Sequence, residues 1–224
     1  LELAADVAQI GATLQISSNS DYSQITTAVL TPHADRAFEI LADVTLRPLF
    51  AAAEVTRVRE ERITRLLQVQ DNPNALATKV FTQALYGNRH PYGHIELGTE
   101  QSLRRITPIE LESFWERGYQ PNNAALVVVG NIATSRLREL AERYFGGWRG
   151  AASPSTRPLL DTAESRRRIV IVDQAQAPLT SLRVGQVGVP RSSPDYVPLE
   201  VMNSAFGGLF ASRLNLSLRE RHGY

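Results

Sequence analysis

Apolar positions recur along most of the chain at the spacing of amphipathic helices. In the first segment, Leu3, Val7 and Ile10 follow the three-to-four-residue period of such a helix, and Gly11 can end it. The same period predicts further helices after this one. They span residues 33–46, 51–70, 74–87, 107–119, 134–148, 195–206 and 210–221.

Other segments have the composition of β-strands. Residues 12–19 and 22–30 flank the polar turn "SNSD" and predict a hairpin. Apolar runs predict a buried strand over 123–132 and two more over 167–174 and 180–189. Strand pairs followed by several helices favour an α+β fold with a mainly antiparallel sheet and helices packed on one face.

A change in composition divides the chain. Residues 148–166 are rich in Ser, Pro, Ala and Thr, as linkers are. We therefore predict a first domain over 1–150, a linker over 151–166 and the beginning of a second domain over 167–224.

Composition excludes some classes of function. The 224 residues are 43% apolar and 21% charged, which is typical of a globular protein. The formal net charge of +1 gives no reason to expect nucleic acid as a partner, and no apolar run is long enough to span a bilayer. There is no cysteine, and no Gly-rich nucleotide-binding motif or Gly-x-Ser-x-Gly.

The stretch "HPYGHIELG" carries the most suggestive polar residues. His90, His94 and Glu96 have side chains that bind zinc, and His-x3-His would suit one face of a helix. Pro91 and Gly93 oppose a continuous helix there. The alternative is an extended loop in which one histidine bonds a neighbouring carbonyl.

Several phrases, in order, resemble the pitrilysin/insulinase family of metallopeptidases. They are "IGATLQISSNSDYS", "AEVTRVREERI", "DNPNALATKVFTQALYG", "HPYGHIELGTEQSLRRIT", "YQPNNAALVVVGNI" and "FASRLNLSLRERHGY". The resemblance covers nearly the whole chain. It implies the α/β roll of these metallopeptidases, mainly antiparallel, with the start of a second homologous domain, and it implies that "HPYGH" is a connecting loop.

The resemblance also implies where a metal site belongs. In that family a His-x-x-Glu-His helix binds zinc, and we expect this motif before Leu1. A glutamate on the helix over 51–70 supplies the third ligand, and the position that matches it holds Arg65. Arginine is a permanent cation without a lone pair for a metal. Glu61, one turn earlier, is the fallback ligand; its alternative is a surface carboxylate paired with Arg57 or Arg65.

Substrate contacts follow from the same resemblance. The family's second half holds the substrate backbone with an arginine, matched here by Arg219, and a tyrosine expected just beyond Tyr224. Gly207 and Gly208 would allow close backbone approach. The alternatives are an exposed helix arginine near Glu220 and a helix-ending glycine turn.

The first strand is the other expected substrate contact. In the family its edge pairs with an extended peptide, and the matching residues are Gln15, Ile16 and Ser17. Active members tend to have an asparagine where this chain has Gln15. An ordinary sheet strand is the alternative.

These expectations combine into one functional prediction. The chain is a non-catalytic, peptide-binding subunit without a cofactor of its own, which completes the chamber of a zinc-bearing homologous partner. Self-association is the other arrangement, and a bacterial periplasmic location follows only by analogy. The alternatives are an active zinc metalloendopeptidase with its motif upstream, and a structural scaffold homologue.

Overall fold

The structure, a computed structural model, describes residues 2–150, 167–174, 177 and 180–223. The chain divides into two compact units, Leu1–Arg183 and Val184–Tyr224. Each unit is described by itself. The predicted linker over 151–166 lies outside the described residues, so the predicted domain boundaries stay a prediction.

An antiparallel hairpin opens the first unit after one short helix. Strand β1, Thr13–Ser18, pairs with β2, Ser23–Ala28. Asn19 stabilises the turn between them. Its side-chain oxygen accepts the backbone N–H groups of Asp21 at 2.8 Å and of Tyr22 at 2.9 Å. The hairpin predicted from the sequence is confirmed.

Helices make up most of the first unit, and their capping signals are those of the sequence. Asn72 caps α4 by accepting two backbone N–H groups. Thr107 and Glu110 form a capping box at the start of α6. Among the described residues no helix is long and apolar enough to cross a membrane. The helices are α1 (Glu2–Gln9), α2 (Ala34–Leu46), α3 (Ala52–Asp71), α4 (Pro73–Tyr86), α5 (Glu100–Arg105), α6 (Pro108–Gly118) and α7 (Thr134–Phe145).

Two apolar clusters hold these helices together. Helix α2 buries four residues, Ala37, Phe38, Ile40 and Ala42, and contacts both β2 and α7, whose Leu140 is fully buried. The second cluster joins α3 to α5 and to the loop between α4 and α5. It consists of Ile63, Leu66 and Leu103, with Ile95, Leu97 and Ile106 packed against them.

Three of the predicted strands are wrong for the described residues. No ladder forms over 123–132, 167–174 or 180–189, and the two-stranded β1–β2 sheet is the one that the described chain contains. Val127 is 80% exposed, so the predicted buried strand is not buried. A strand needs the N–H and C=O groups of a neighbouring strand, and no described segment supplies them there. The larger sheet and the roll remain predictions.

The second unit is helical. Helix α8, Tyr196–Asn203, continues into a π-helical turn, Ser204–Gly208. A short helix α9, Arg213–Asn215, continues into a second π-helical segment, Leu216–Arg221. Both helices predicted for this region are therefore present, and each ends in a π-helical segment.

Candidate functional site

Helix α3 carries Arg65, the residue at the position where the resemblance implies a zinc ligand. Arg65 donates from Nη2 to Glu61 Oε1 at 2.5 Å, one turn away on the same face. Arg57 approaches the other oxygen of the same carboxylate at 3.5 Å. Both oxygens of Glu61 therefore face guanidinium groups. This geometry agrees with the alternative stated for Glu61 from the sequence, a surface carboxylate paired with Arg57 or Arg65.

Zinc does not fit these residues. Arg65 offers only donors, and the carboxylate of Glu61 is already compensated by two cations. Among the residues that the structure describes, no group of three His, Cys, Asp or Glu side chains could hold a metal ion.

The two histidines of the "HPYGH" loop are engaged locally. His90 is 4% exposed, stacks on Tyr86 with ring centroids 5.1 Å apart, and accepts the Tyr92 backbone N–H at Nδ1. His94 lies 2.7 Å from the Asn88 carbonyl through Nε2, and because a carbonyl only accepts, that nitrogen carries the proton. These contacts agree with the loop interpretation, in which one histidine, here His94, bonds a neighbouring carbonyl.

A cavity of about 470 Å³ lies between the hairpin turn, α3 and this loop. The end of β1 and the turn supply one wall, and α3 supplies Arg62 and Arg65, which are three residues apart. The loop closes the third side with polar and apolar groups. The remaining lining residues are Ser18, Asn19, Ser20, Pro91, His94, Ile95, Glu96 and Leu97. Its volume lies within the usual range for ligand pockets.

The predicted peptide-binding strand is exposed at the three expected positions. Gln15, Ile16 and Ser17 all face solvent, and Ile16 is 61% exposed. Strand β1 pairs with β2 along one edge, and no described strand pairs with its other edge. An extended peptide could therefore add to this edge by backbone hydrogen bonds.

Arg219 lies in the second unit, on the π-helical segment Leu216–Arg221. Its side chain is exposed, and its guanidinium carbon lies 4.9 Å from the centroid of the Phe210 ring, a cation–π distance. Phe210 is itself 70% exposed. The expected neighbour Glu220 makes no ion pair with it. Arg219 is thus held by an aromatic ring and keeps its N–H groups open to solvent.

The two glycines lie in the other π-helical turn. Gly208 is the more tightly packed of the two, since a Cβ atom there would lie 3.3 Å from the Asn203 carbonyl oxygen. At Gly207 the nearest atom would be a Leu214 methyl carbon at 3.6 Å, an ordinary contact. Their local geometry is that of a helix-ending turn, and their substrate role stays a prediction. Tyr224 lies outside the described residues.

Sequence reasoning found Arg65 but missed the cavity that it lines. Arg62 and Arg65 were visible as an (i, i+3) pair on the polar side of α3. The contribution of Ser20 and His94 depends on the tertiary approach of the hairpin turn to the "HPYGH" loop. Tyr92 makes that approach by donating its hydroxyl proton to Asp21.

Two family models divide the chain between them. Residues 1–97 match the model described as insulinase, peptidase family M16, and residues 105–224 match the model described as peptidase M16 inactive domain. The chain belongs to peptidase family M16. The resemblance of the sequence phrases to this family is confirmed.

Individual relatives agree with the M16 assignment. Uncharacterized zinc protease YmxG of Bacillus subtilis is 26% identical, over 99% of this chain and 53% of its own length. Cytochrome b-c1 complex subunit 1 of Bos taurus is 23% identical, over 92% of this chain and 42% of its own. The structure of a peptidase M16 inactive domain from Pseudomonas fluorescens is similar with a TM-score of 0.80 at 22% identity, over 99% of this chain and 53% of that one. The chain spans about half the length of these proteins.

Proposed function

We propose that this chain belongs to a non-catalytic, peptide-binding M16 subunit, which completes the chamber of a zinc-bearing homologous partner. Arg65 carries the proposal. The family resemblance matches it to the third zinc ligand, and it donates to the carboxylate that is nearest along the helix, Glu61. A fixed cation at that position opposes zinc binding through both charge repulsion and lack of a lone pair.

Peptide binding is supported by two separate surfaces, one in each unit. The edge of β1 is exposed at Gln15, Ile16 and Ser17 and is not paired with another described strand. Arg219 keeps exposed N–H donors, which suit the carbonyl groups of a peptide backbone. Zinc is a cofactor of the partner in this proposal.

Peptidase assays on the full-length protein test the proposal. The protein alone should leave an unfolded polypeptide uncut. Mixed with a homologue that carries His-x-x-Glu-His, it should raise the rate of cleavage above that of the homologue alone. Arg219→Ala should reduce this gain, because the substrate loses donors opposite the metal.

Arg213→Ala is the matched control for Arg219→Ala. Arg213 is also an exposed arginine of the second unit, on α9. Its replacement should leave the gain in cleavage unchanged. Cleavage by the protein alone that disappears in Glu61→Gln would contradict the proposal and favour the active metalloendopeptidase.

A structural scaffold is the second candidate function. The similarity to cytochrome b-c1 complex subunit 1 favours it, because that relative is named as a subunit of a larger complex. A scaffold would form a stable complex with the homologue without binding peptide or changing the rate of cleavage.

A further inference from the structure

The cavity beside Arg65 has an excess of positive charge. Two of its lining side chains are guanidinium groups, Arg62 and Arg65, and Glu96 is the one carboxylate among its lining residues. Glu61, which pairs with Arg65, is not part of the lining. A carboxylate that entered the cavity would therefore meet more cationic than anionic groups.

The donors of this cavity are largely unused within the described chain. Arg62 has no hydrogen bond or ion pair with any described residue, and the Ser20 hydroxyl likewise has no described partner. Arg65 uses Nη2 for Glu61, and a guanidinium carries five N–H groups in all. Guanidinium forks of this kind match the two oxygens of a carboxylate.

The walls of the cavity are fixed by contacts outside it. Ile95 and Leu97 pack against the buried cluster that contains Ile63 and Leu66. On the opposite side the Tyr92–Asp21 hydrogen bond joins the loop to the hairpin turn. The backbone that frames the two arginines is therefore held in place by contacts outside the cavity, which lowers the entropy cost of binding.

The cavity also continues the exposed strand. Ser18 is the last residue of β1 and lines the cavity, and Asn19 and Ser20 of the turn follow it. A peptide added along the free edge of β1 would reach the arginines with a residue beyond the paired segment. Strand addition is indifferent to sequence, so the charge of this cavity would select among peptides.

From these observations we infer that Arg62 and Arg65 form a carboxylate-binding subsite, which selects peptides carrying an acidic group just past the segment that pairs with β1. This inference rests on the proposed peptide-binding function. The group is an Asp or Glu side chain or the carboxyl terminus of the peptide, and all three present the same chemistry.

Binding of three short peptides to the full-length protein tests the subsite and separates the two sources of the carboxylate. One is amidated and contains a single glutamate, its twin has glutamine instead, and the third is the glutamine peptide with a free carboxyl terminus. At least one of the two acidic peptides should bind about fivefold more tightly than the neutral twin, a preference that salt near 0.5 M should largely remove. The acidic peptide that binds more tightly than the neutral twin shows whether a side chain or the carboxyl terminus supplies the carboxylate.

Three variants assign the preference to the cavity. Arg62→Gln should remove it without affecting folding, because Arg62 is exposed and has no described partner. Arg138→Gln, an equal charge change on an exposed part of α7, should leave it intact. Glu96→Gln should strengthen binding of the acidic peptide, since it removes the lining carboxylate.

The outcomes separate the subsite from the function on which it rests. Equal binding of all three peptides, or an equal effect of Arg62→Gln on each, overturns the subsite and leaves peptide binding standing. If no peptide binds, the proposed peptide-binding function fails and the subsite fails with it.

Discussion

At the scale of single residues, Asp35 connects two helices through three partners. Its carboxylate accepts from the Tyr144 hydroxyl, from Arg136 Nη2 at 2.6 Å and from Arg143 Nη1 at 3.0 Å. The Tyr144 hydrogen bond is the main cause that holds the pKa of Asp35 below its usual value, and the two arginine charges lower it further.

Because the pKa of Asp35 is lower in the folded state, its contribution to stability is present above the unfolded-state pKa and is lost as the pH falls through the folded-state value. Asp35→Asn should therefore lower the melting temperature of the full-length protein near neutral pH. The difference from the unsubstituted protein should shrink below about pH 4. Thermal unfolding over this pH range measures it.

Asp43→Asn is the control for this prediction. Asp43 also pairs with an arginine, Arg47 at 2.9 Å, but that pair is exposed and joins the last turn of α2 to the residue that follows the helix. Its loss should change the melting temperature little at any pH. A constant difference for Asp35→Asn between neutral and acidic pH would contradict the role given to Asp35.

Helical spacing alone was enough to predict from the sequence that Glu61 and Arg65 lie close together. Glu61 and Arg65 were placed on one face of α3, one turn apart, and the structure bonds them there. The cavity could not be predicted in the same way. Its lining joins residues more than forty positions apart, such as Ser20 and Arg62, through folds of the chain that no local pattern encodes.

At the scale of elements, the loop after α4 depends on one close backbone approach. A Cβ atom at Gly93 would lie 1.9 Å from the Gly87 carbonyl oxygen and 2.9 Å from its carbon. Gly87 has a φ of 74°, which other residues disfavour, and its backbone N–H donates to the Gln83 carbonyl at 2.8 Å, which ties it to the end of α4. Glycine at 93 is therefore required for the turn that carries His90 and His94.

Gly93→Ala should reduce the free energy of unfolding by roughly 1–3 kcal/mol, the usual cost of overpacking. Urea unfolding of the full-length protein measures the change. Gly118→Ala is the matched control, because it lies at the end of α6 and a Cβ there would meet nothing within 4 Å. Equal unfolding midpoints for the two variants would show that the close approach is not a constraint.

Local signals predicted helices better than strands, and the reason is physical. A helix satisfies its own backbone, so spacing and caps such as Asn72 suffice to place it. Strand 123–132 needs a partner from elsewhere, and apolar composition alone cannot supply one. Helix α5 was missed because it is only six residues long, although Thr99 and Ser102 form a capping box at its start.

At the scale of the whole molecule, we propose a division of labour between two homologous chains. In this proposal the present chain contributes peptide-binding surfaces, namely the edge of β1, the arginine-lined cavity and Arg219. Its partner contributes the zinc. The division depends on Arg65, which the family resemblance matches to the third metal ligand.

Zinc analysis of the purified full-length protein, without its partner, tests this claim most directly. We expect far less than one zinc ion per chain, and no change in that content in Glu61→Gln. One tightly held zinc ion per chain that is lost in Glu61→Gln would contradict it, because the helix would then coordinate the metal despite Arg65.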